Sequence, residues 1–398
     1  MKRTDGDHVA FLCLAFSLLF SGSQQVVKYL GMAGVSVYVI ACIAILQASR
    51  TFFLPAFSHR VTDRQTGLLA LATLAGLVAV FWIVYPFANA GSIGGGSDSD
   101  DALNLATRAL LDHRFPYAIH TYLGAPATYL PGSLLLAVPF VILGNAAYQN
   151  VFWLAVWLLT MMFYLTDVKR ALVFFWMTLL CPLVWQLLVT GGELLASSIY
   201  IVVFVLFAKR TCLSGQRSPW RWVAAVLLGI GLSSRVNYLL LVPVILSAAI
   251  QRVGCKDTAR YAAATGGALL AVTLPAWLHD PDVFWVACLR EQNWVAIQMN
   301  GLFTHADIVL PLLSAVFAVV LSFRRLTKPW QAGLLAHCAL TQAFPVIIVV
   351  LLTSFRAGKF DLTFTAYGLH FLFFGLFASW NVFAGRHRSR WAIGASTV

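Results

Sequence analysis

Apolar runs alternate with short polar intervals along the whole chain, and their lengths are those a bilayer demands. A helix rises 1.5 Å per residue, so crossing a hydrocarbon core of ~30 Å takes about 20 residues. The runs fall at residues 9–29, 32–46, 67–87, 131–143, 146–166, 171–189, 194–208, 223–233, 238–250, 261–278, 308–323, 332–353 and 362–383. This pattern predicts one all-α polytopic membrane domain over 1–398, a transmembrane bundle of about 10–12 segments. The first run is interrupted by Gln24, Gln25 and Lys28. It follows a charged N-terminus with no small-residue cleavage site, so it is expected as an uncleaved span rather than a signal peptide.

One long polar interval breaks the pattern, at residues 89–130, and it carries Asp98, Asp100 and Asp101 straight after a Gly/Ser stretch. Over 100–113 the helical period returns, with Leu103, Ala106, Leu110 and Leu111 on one side and Asn104, Arg108 and Asp112 elsewhere. A short amphipathic helix along the membrane surface is expected there. Asp98 or Ser99 suits its N-cap, and Asp100 and Asp101 suit the positive end of its dipole. Three acids exceed what a cap requires. Carboxylates are costly to bury in a membrane, so the cluster should face water or a cavity and do chemistry or hold a cation. A second polar interval, 279–307, carries Arg290, Glu291, Asn293, Trp294 and His305.

Composition narrows the class. At 60% hydrophobic and 11% charged residues, no soluble core could hide the apolar surface. The formal charge of +12 gathers in 50–64, 209–221, 252–256, 324–328 and the tail. Short basic loops between spans follow the positive-inside rule and place these in the cytoplasm, which argues against nucleic acid as the partner and sets 89–130 and 279–307 outside. Parity then fails, because four crossings after the acidic loop would leave 209–221 outside. Either one run is re-entrant or the basic loop breaks the rule. Residues 223–250 read as a hairpin entering from the basic side, with Arg235 at its tip within the membrane. An intramembrane arginine needs a counter-charge or a water-filled cavity, so Arg235 is either half of a structural ion pair or an anion ligand. The seven cysteines are scattered and lack metal-ligand spacing, so neither disulfides nor a metal site is indicated. No cofactor is expected; a divalent cation is the one ligand the acidic cluster leaves open.

Asp100 and Asp101, then Ala106, Ala109-Leu110-Leu111, Pro116-Tyr117, Tyr129-Leu130-Pro131 and the apolar run 134–140 together resemble the first periplasmic loop of glycosyltransferase family 87. That family comprises polyprenyl-phosphate-mannose-dependent mannosyltransferases and relatives within the GT-C superfamily of membrane glycosyltransferases. Gly191-Gly192-Glu193 stands where the family commonly has Gly-Gln, and Arg235 stands where its hairpin usually has Lys. The chain departs from the pattern in its D-x-D-D cluster and in Asn104, where an aromatic is usual.

The resemblance implies a GT-C bundle in a bacterial inner membrane. It also implies transfer of mannose or a similar hexose from a polyprenyl-phosphate donor to a lipid or glycan acceptor among membrane lipids on the periplasmic side. Such a transfer needs a carboxylate to take the acceptor's proton, and a cation to hold the departing phosphate. Asp100 or Asp101 is the expected base, with Asp98 beside it to raise its pKa or bind a cation. Arg235, Arg290, Arg356 and Lys359 are candidate phosphate holders, and Asn237, His120, Tyr122, Glu193 and His305 candidate cavity residues. The alternatives are a transporter or flippase for a lipid-linked sugar or other amphiphile, and a non-catalytic scaffold.

Overall fold

The computed structural model describes residues 5–90, 98–121, 124, 127–165, 167–212, 218–285, 305–325 and 330–379. The chain is all-helical and a multi-pass membrane protein. Its principal helices are α1 (Asp5–Ala48), α2 (Leu54–Arg60), α3 (Asp63–Asn89), α4 (Ser99–Leu111), α5 (Pro131–Ile142), α6 (Tyr148–Leu165) and α7 (Val168–Thr178). They continue with α8 (Pro182–Thr190), α9 (Glu193–Thr211), α10 (Trp220–Leu232), α11 (Leu241–His279), α12 (Ala306–Ser322), α13 (Trp330–Ala357) and α14 (Leu369–Ala378). Six described helical stretches are long and apolar enough to cross a membrane alone, or seven with the bent α7–α8 pair. The 10–12 segments expected include several apolar runs that form helices of only 10–17 residues, and two of the six long stretches each hold two segments.

Two of the long stretches fold back on themselves. In α1 the break is Gly31, at φ 67° and ψ −172°. The Tyr38 hydroxyl donates to Leu18 O at 3.1 Å, although twenty residues of straight helix would separate them by about 30 Å. The expected pair of segments, 9–29 and 32–46, is thus an antiparallel hairpin. Gly254 (φ 81°) breaks α11 in the same way. A left-handed φ is cheap only for glycine, so each reversal falls where the chain has one.

The bundle has two unlike ends. At one, Lys169 Nζ donates to Ser58 O at 3.0 Å, Lys209 sits over the Tyr164 ring, and Cys212 and Arg221 share a small cavity with Asp257 and Arg260. All the described basic loops predicted to be cytoplasmic but one meet around these contacts; the exception, Arg324 and Arg325, follows α12, whose Ser322 carbonyl accepts from Ser247 near the same end. The other end carries α4, the loop after it, the α8–α9 turn and the hairpin tip at Arg235. Residues 279–284 also reach it, with the His279 ring 4.3 Å from Phe115 and Phe284 edge-on to Tyr117, so the two outer intervals meet.

The parity conflict is resolved by α5. Its 12 residues span only about 18 Å, and it lies along α4 through Leu103, Ala106, Leu134, Ala137 and Val141. Both of its ends stay with the acidic helix: Ser133 bonds Ser234 O at 3.1 Å, and Asn145, just beyond, donates to Tyr85 at 2.7 Å. Run 131–143 is therefore the re-entrant one. Three crossings remain after it, namely α6, the α7–α8 pair bent by 79°, and α9. An odd number delivers 209–221 to the end opposite the acids. The predicted hairpin at 223–250 is also present, with α10 rising to the turn and the first half of α11 descending from it.

Candidate functional site

The site is built on the first turn of α4. Asp98 stands at the N-cap position but makes no capping bond, contrary to the expected cap; its Oδ2 accepts from Thr121 Oγ1 at 2.7 Å. Ser99 Oγ lies 2.6 Å from the Tyr129 hydroxyl, which donates to Ser99 O at 2.7 Å. Asp100 turns inward and has no exposed surface. It accepts a hydrogen bond from Tyr85 on α3, whose oxygen in turn accepts from Asn145 Nδ2 at 2.7 Å. Asn104 donates to Asn145 Oδ1 at 3.0 Å, and its own oxygen accepts from Ala146 N at 2.7 Å. The departure from the family pattern at Asn104 thus has a physical role: the amide ties α4 to the turn before α6, and Tyr85 carries that tie to Asp100. Asp101, about 100° further round the helix, is half-exposed.

Burial pushes the Asp100 carboxyl up to about 6, with Asp101's charge adding to the rise and the Tyr85 hydrogen bond opposing it. The neighbour expected to act this way was Asp98; the structure gives that part to Asp101. Among the described residues Asp100 Oδ1 has no hydrogen-bonding partner, although it is buried. A carboxyl titrating near 6 is mostly ionised at neutral pH yet basic enough to take a proton.

The same shift has a consequence for stability. Between the ordinary value of 3.8 and about 6 the folded chain holds the Asp100 proton more tightly than the unfolded chain. Stability from this group is therefore full below 3.8 and is lost as pH rises through about 6, by at most about 3 kcal/mol. Asp100→Asn is expected to flatten that decline in denaturation curves taken across the window.

Gly191 closes over this carboxyl. It is left-handed (φ 73°), and a Cβ there would meet Asp100 Cβ at 2.9 Å and Ala147 Cβ at 2.8 Å. Gly191→Ala combines backbone strain with a clash on a rigid turn, and should cost about 1–3 kcal/mol and displace α4. Thermal unfolding of the purified variant checks it.

The second half of the site is a buried ion pair. Glu193, the first residue of α9, is 1% exposed. It accepts from Ser133 Oγ at 3.0 Å and Tyr200 OH at 3.2 Å. The Arg235 guanidinium grips its Oε2 through Nε at 3.2 Å and through a terminal nitrogen. Arg235 thereby has the counter-charge its depth requires. It also lines a half-open cavity of about 220 Å³ between residues 128–130, the hairpin turn, α12, α13 and residues 364–370. Tyr129 lines the same cavity and lies within electrostatic reach of Glu193, Arg235 and Asp100, so one residue joins the acidic helix, the ion pair and the cavity. Thr128, Ser234, Asn237, Ser314, Tyr367 and His370 are the other polar residues of the wall; Asn237 pairs reciprocally with Gln342 (2.7 and 3.0 Å), and His370 Nδ1 lies 3.1 Å from Tyr238 OH.

Of the residues singled out from sequence, Asp98, Asp100, Asp101, Glu193, Arg235 and Asn237 are brought to one end. His120 and His305 are exposed and do not line the cavity; Arg356, in the last turn of α13, and Lys359, just beyond it, are exposed as well. Tyr122 and Arg290, with Glu291, Asn293 and Trp294, lie outside the described residues. Sequence reasoning missed Tyr85, Tyr129, Ser133, Asn145, Tyr200 and His370; for Tyr85, Ser133, Tyr200 and His370 the available signal was a polar group inside an apolar run, while Tyr129 and Asn145 sit in polar intervals that gave none. Among the described residues no three His, Cys, Asp or Glu side chains converge as a metal site.

Fold and site together define a multi-pass helical membrane protein with a buried carboxylate and an ion pair beside an apolar cavity. No family model matches the chain, and neither a curated protein nor a solved structure matches it significantly.

Proposed function

We propose that the chain is an integral membrane glycosyltransferase of the GT-C kind, moving a hexose from a polyprenyl-phosphate donor to a lipid or glycan acceptor. The observation that carries this reading is the junction at Tyr129 between a buried carboxylate poised near 6 and an apolar cavity with an arginine on its wall. In the proposed step Asp100 Oδ1 takes the acceptor hydroxyl's proton as that oxygen bonds to the sugar's anomeric carbon. The bond from that carbon to the phosphate oxygen breaks, and its electron pair leaves with the phosphate, which Arg235 stabilises. Asp100 is closed off in this structure, so acceptor binding has to open its contact with the Gly191 turn.

The positive-inside rule puts the basic end in the cytoplasm and the acidic end on the periplasmic side of a bacterial inner membrane. The test is transfer of radiolabelled mannose, then other hexoses, from polyprenyl-phosphate donors to a lipid extract by purified protein. Label in a new product supports the transferase. If no donor gives product while lipid-linked sugar crosses reconstituted vesicles, the flippase reading replaces it.

A further inference from the structure

The end of the bundle opposite the acids has a cleft of its own, between the end of α9, the start of α10 and the break in α11. Cys212, Arg221, Trp222, Asp257, Arg260 and Tyr261 are among the residues that line this half-open space of about 30 Å³. The Cys212 thiol donates to Arg221 O at 3.4 Å and ties two of its edges together. The Arg221 guanidinium stands over the Trp222 ring, 4.7 Å from its centroid. Stacked in this way, an arginine keeps its N–H edge for an oxyanion. Arg260 answers the carboxylate in the wall, its Nη1 3.3 Å from Asp257 Oδ1, whereas Arg221 has no carboxylate partner among the described residues.

A buried group points the same way. Tyr261 is 7% exposed, and among the described residues its hydroxyl has no hydrogen-bonding partner. Buried hydroxyls are paired as a rule, so one left bare beside a polar cleft marks a place for an oxygen from outside. With two guanidinia against one carboxylate the cleft is cationic, and the oxygen belongs to an anion. The surroundings fix its source. Trp220 and Trp222 are exposed, as aromatics at a membrane interface are, and Val223 and Val226 are exposed further along α10. Trp222, Val223 and Val226 are spaced three and four residues apart, so they share one side of the helix. A lipid whose phosphate meets Arg221 runs its chains over that side; a free phosphate leaves it bare.

Independently of the transferase reading, we infer that this cleft binds the phosphate of an anionic phospholipid in the leaflet at the basic end. Arg221 and Arg260 hold the phosphate oxygens, one of which accepts from the Tyr261 hydroxyl, and the acyl chains lie along Trp222, Val223 and Val226. The hydroxyl is covered in this structure, so the arriving oxygen parts the side chains over it. Asp257 works against the lipid, because its charge repels the anion.

The experiment counts lipids on the full chain by native mass spectrometry from detergent micelles, as phosphatidylglycerol or phosphatidylcholine with the same acyl chains is added. The first phosphatidylglycerol is expected to bind about five- to tenfold more tightly than the first phosphatidylcholine. Arg221→Gln should bring the two within about twofold, and Asp257→Asn should tighten phosphatidylglycerol about threefold. Arg60→Gln removes an equal charge from an exposed position on α2 at the same end and should leave the first binding event as it is. Tyr261→Phe should weaken phosphatidylglycerol about fivefold and, having lost only a bare hydroxyl, melt no lower than wild type without lipid.

Equal first events for the two lipids, a loss as large in Arg60→Gln as in Arg221→Gln, or weaker binding in Asp257→Asn overturns the site. Glycerol phosphate binding as tightly as phosphatidylglycerol overturns the lipid and puts a soluble phosphate in its place. A lower melting temperature for Tyr261→Phe overturns the part given to its hydroxyl. None of these measurements reads sugar transfer, so the site and the transferase stand or fall separately.

Discussion

Asp100→Asn is expected to lower sugar transfer by about 10²–10⁴-fold, the usual contribution of a general base. The asparagine oxygen can still accept from Tyr85, and the variant removes a buried charge, so insertion and folding should survive. Asp101→Asn should retain transfer within about tenfold, because Asp101 is half-exposed and acts on Asp100 only through its charge. In the wild type, transfer should rise with pH through about 6 as Asp100 loses its proton, while stability falls over the same interval. That opposition separates a catalytic carboxylate from a structural one. The checks are the pH–rate profile and the two single variants side by side. An Asp100→Asn enzyme with near wild-type transfer would remove Asp100 from the chemistry.

Glu193→Ala is expected to cost about 3–5 kcal/mol, because it leaves Arg235 buried without its counter-charge. Arg235 is 12% exposed and Glu193 1%, so water can do little to replace the lost partner. The Tyr200 hydroxyl loses an acceptor as well, while Ser133 keeps Ser234 O. Glu193→Gln keeps one acceptor oxygen, for either Arg235 or the Ser133 and Tyr200 pair, and fills the same space, so it should cost less than Glu193→Ala. Denaturant titration of the purified variants in mild detergent reads both; a Glu193→Ala protein within about 1 kcal/mol of wild type would show the pair to be dispensable.

Much of this molecule was legible because hydropathy and helical period are local properties. A run such as 67–87 has one way to satisfy its backbone in a bilayer, and the period over 100–113 announces a surface helix wherever it packs. The deep arginine likewise demanded a counter-charge or a water-filled cavity before any contact was known, and Glu193 supplies the counter-charge.

Partners were not legible. The counter-charge Glu193 lies 42 residues from Arg235 in sequence, and Tyr85 lies 15 from Asp100, so the two pairs are made by folding alone. Nor does composition distinguish Pro131–Ile142, which lies along α4, from a run that crosses; length is suggestive, but the packing of Leu134 and Ala137 on Leu103 and Ala106 decides it. The sequence by itself determined an all-helical membrane chain with an acidic cluster in its one long polar interval and most of its bases in the loops between spans, since these follow from the cost of burying backbone and charge in hydrocarbon. Only the tertiary structure decided which acid is buried, what neutralises Arg235 and which helix fails to cross, because each depends on side chains that meet across long stretches of intervening chain.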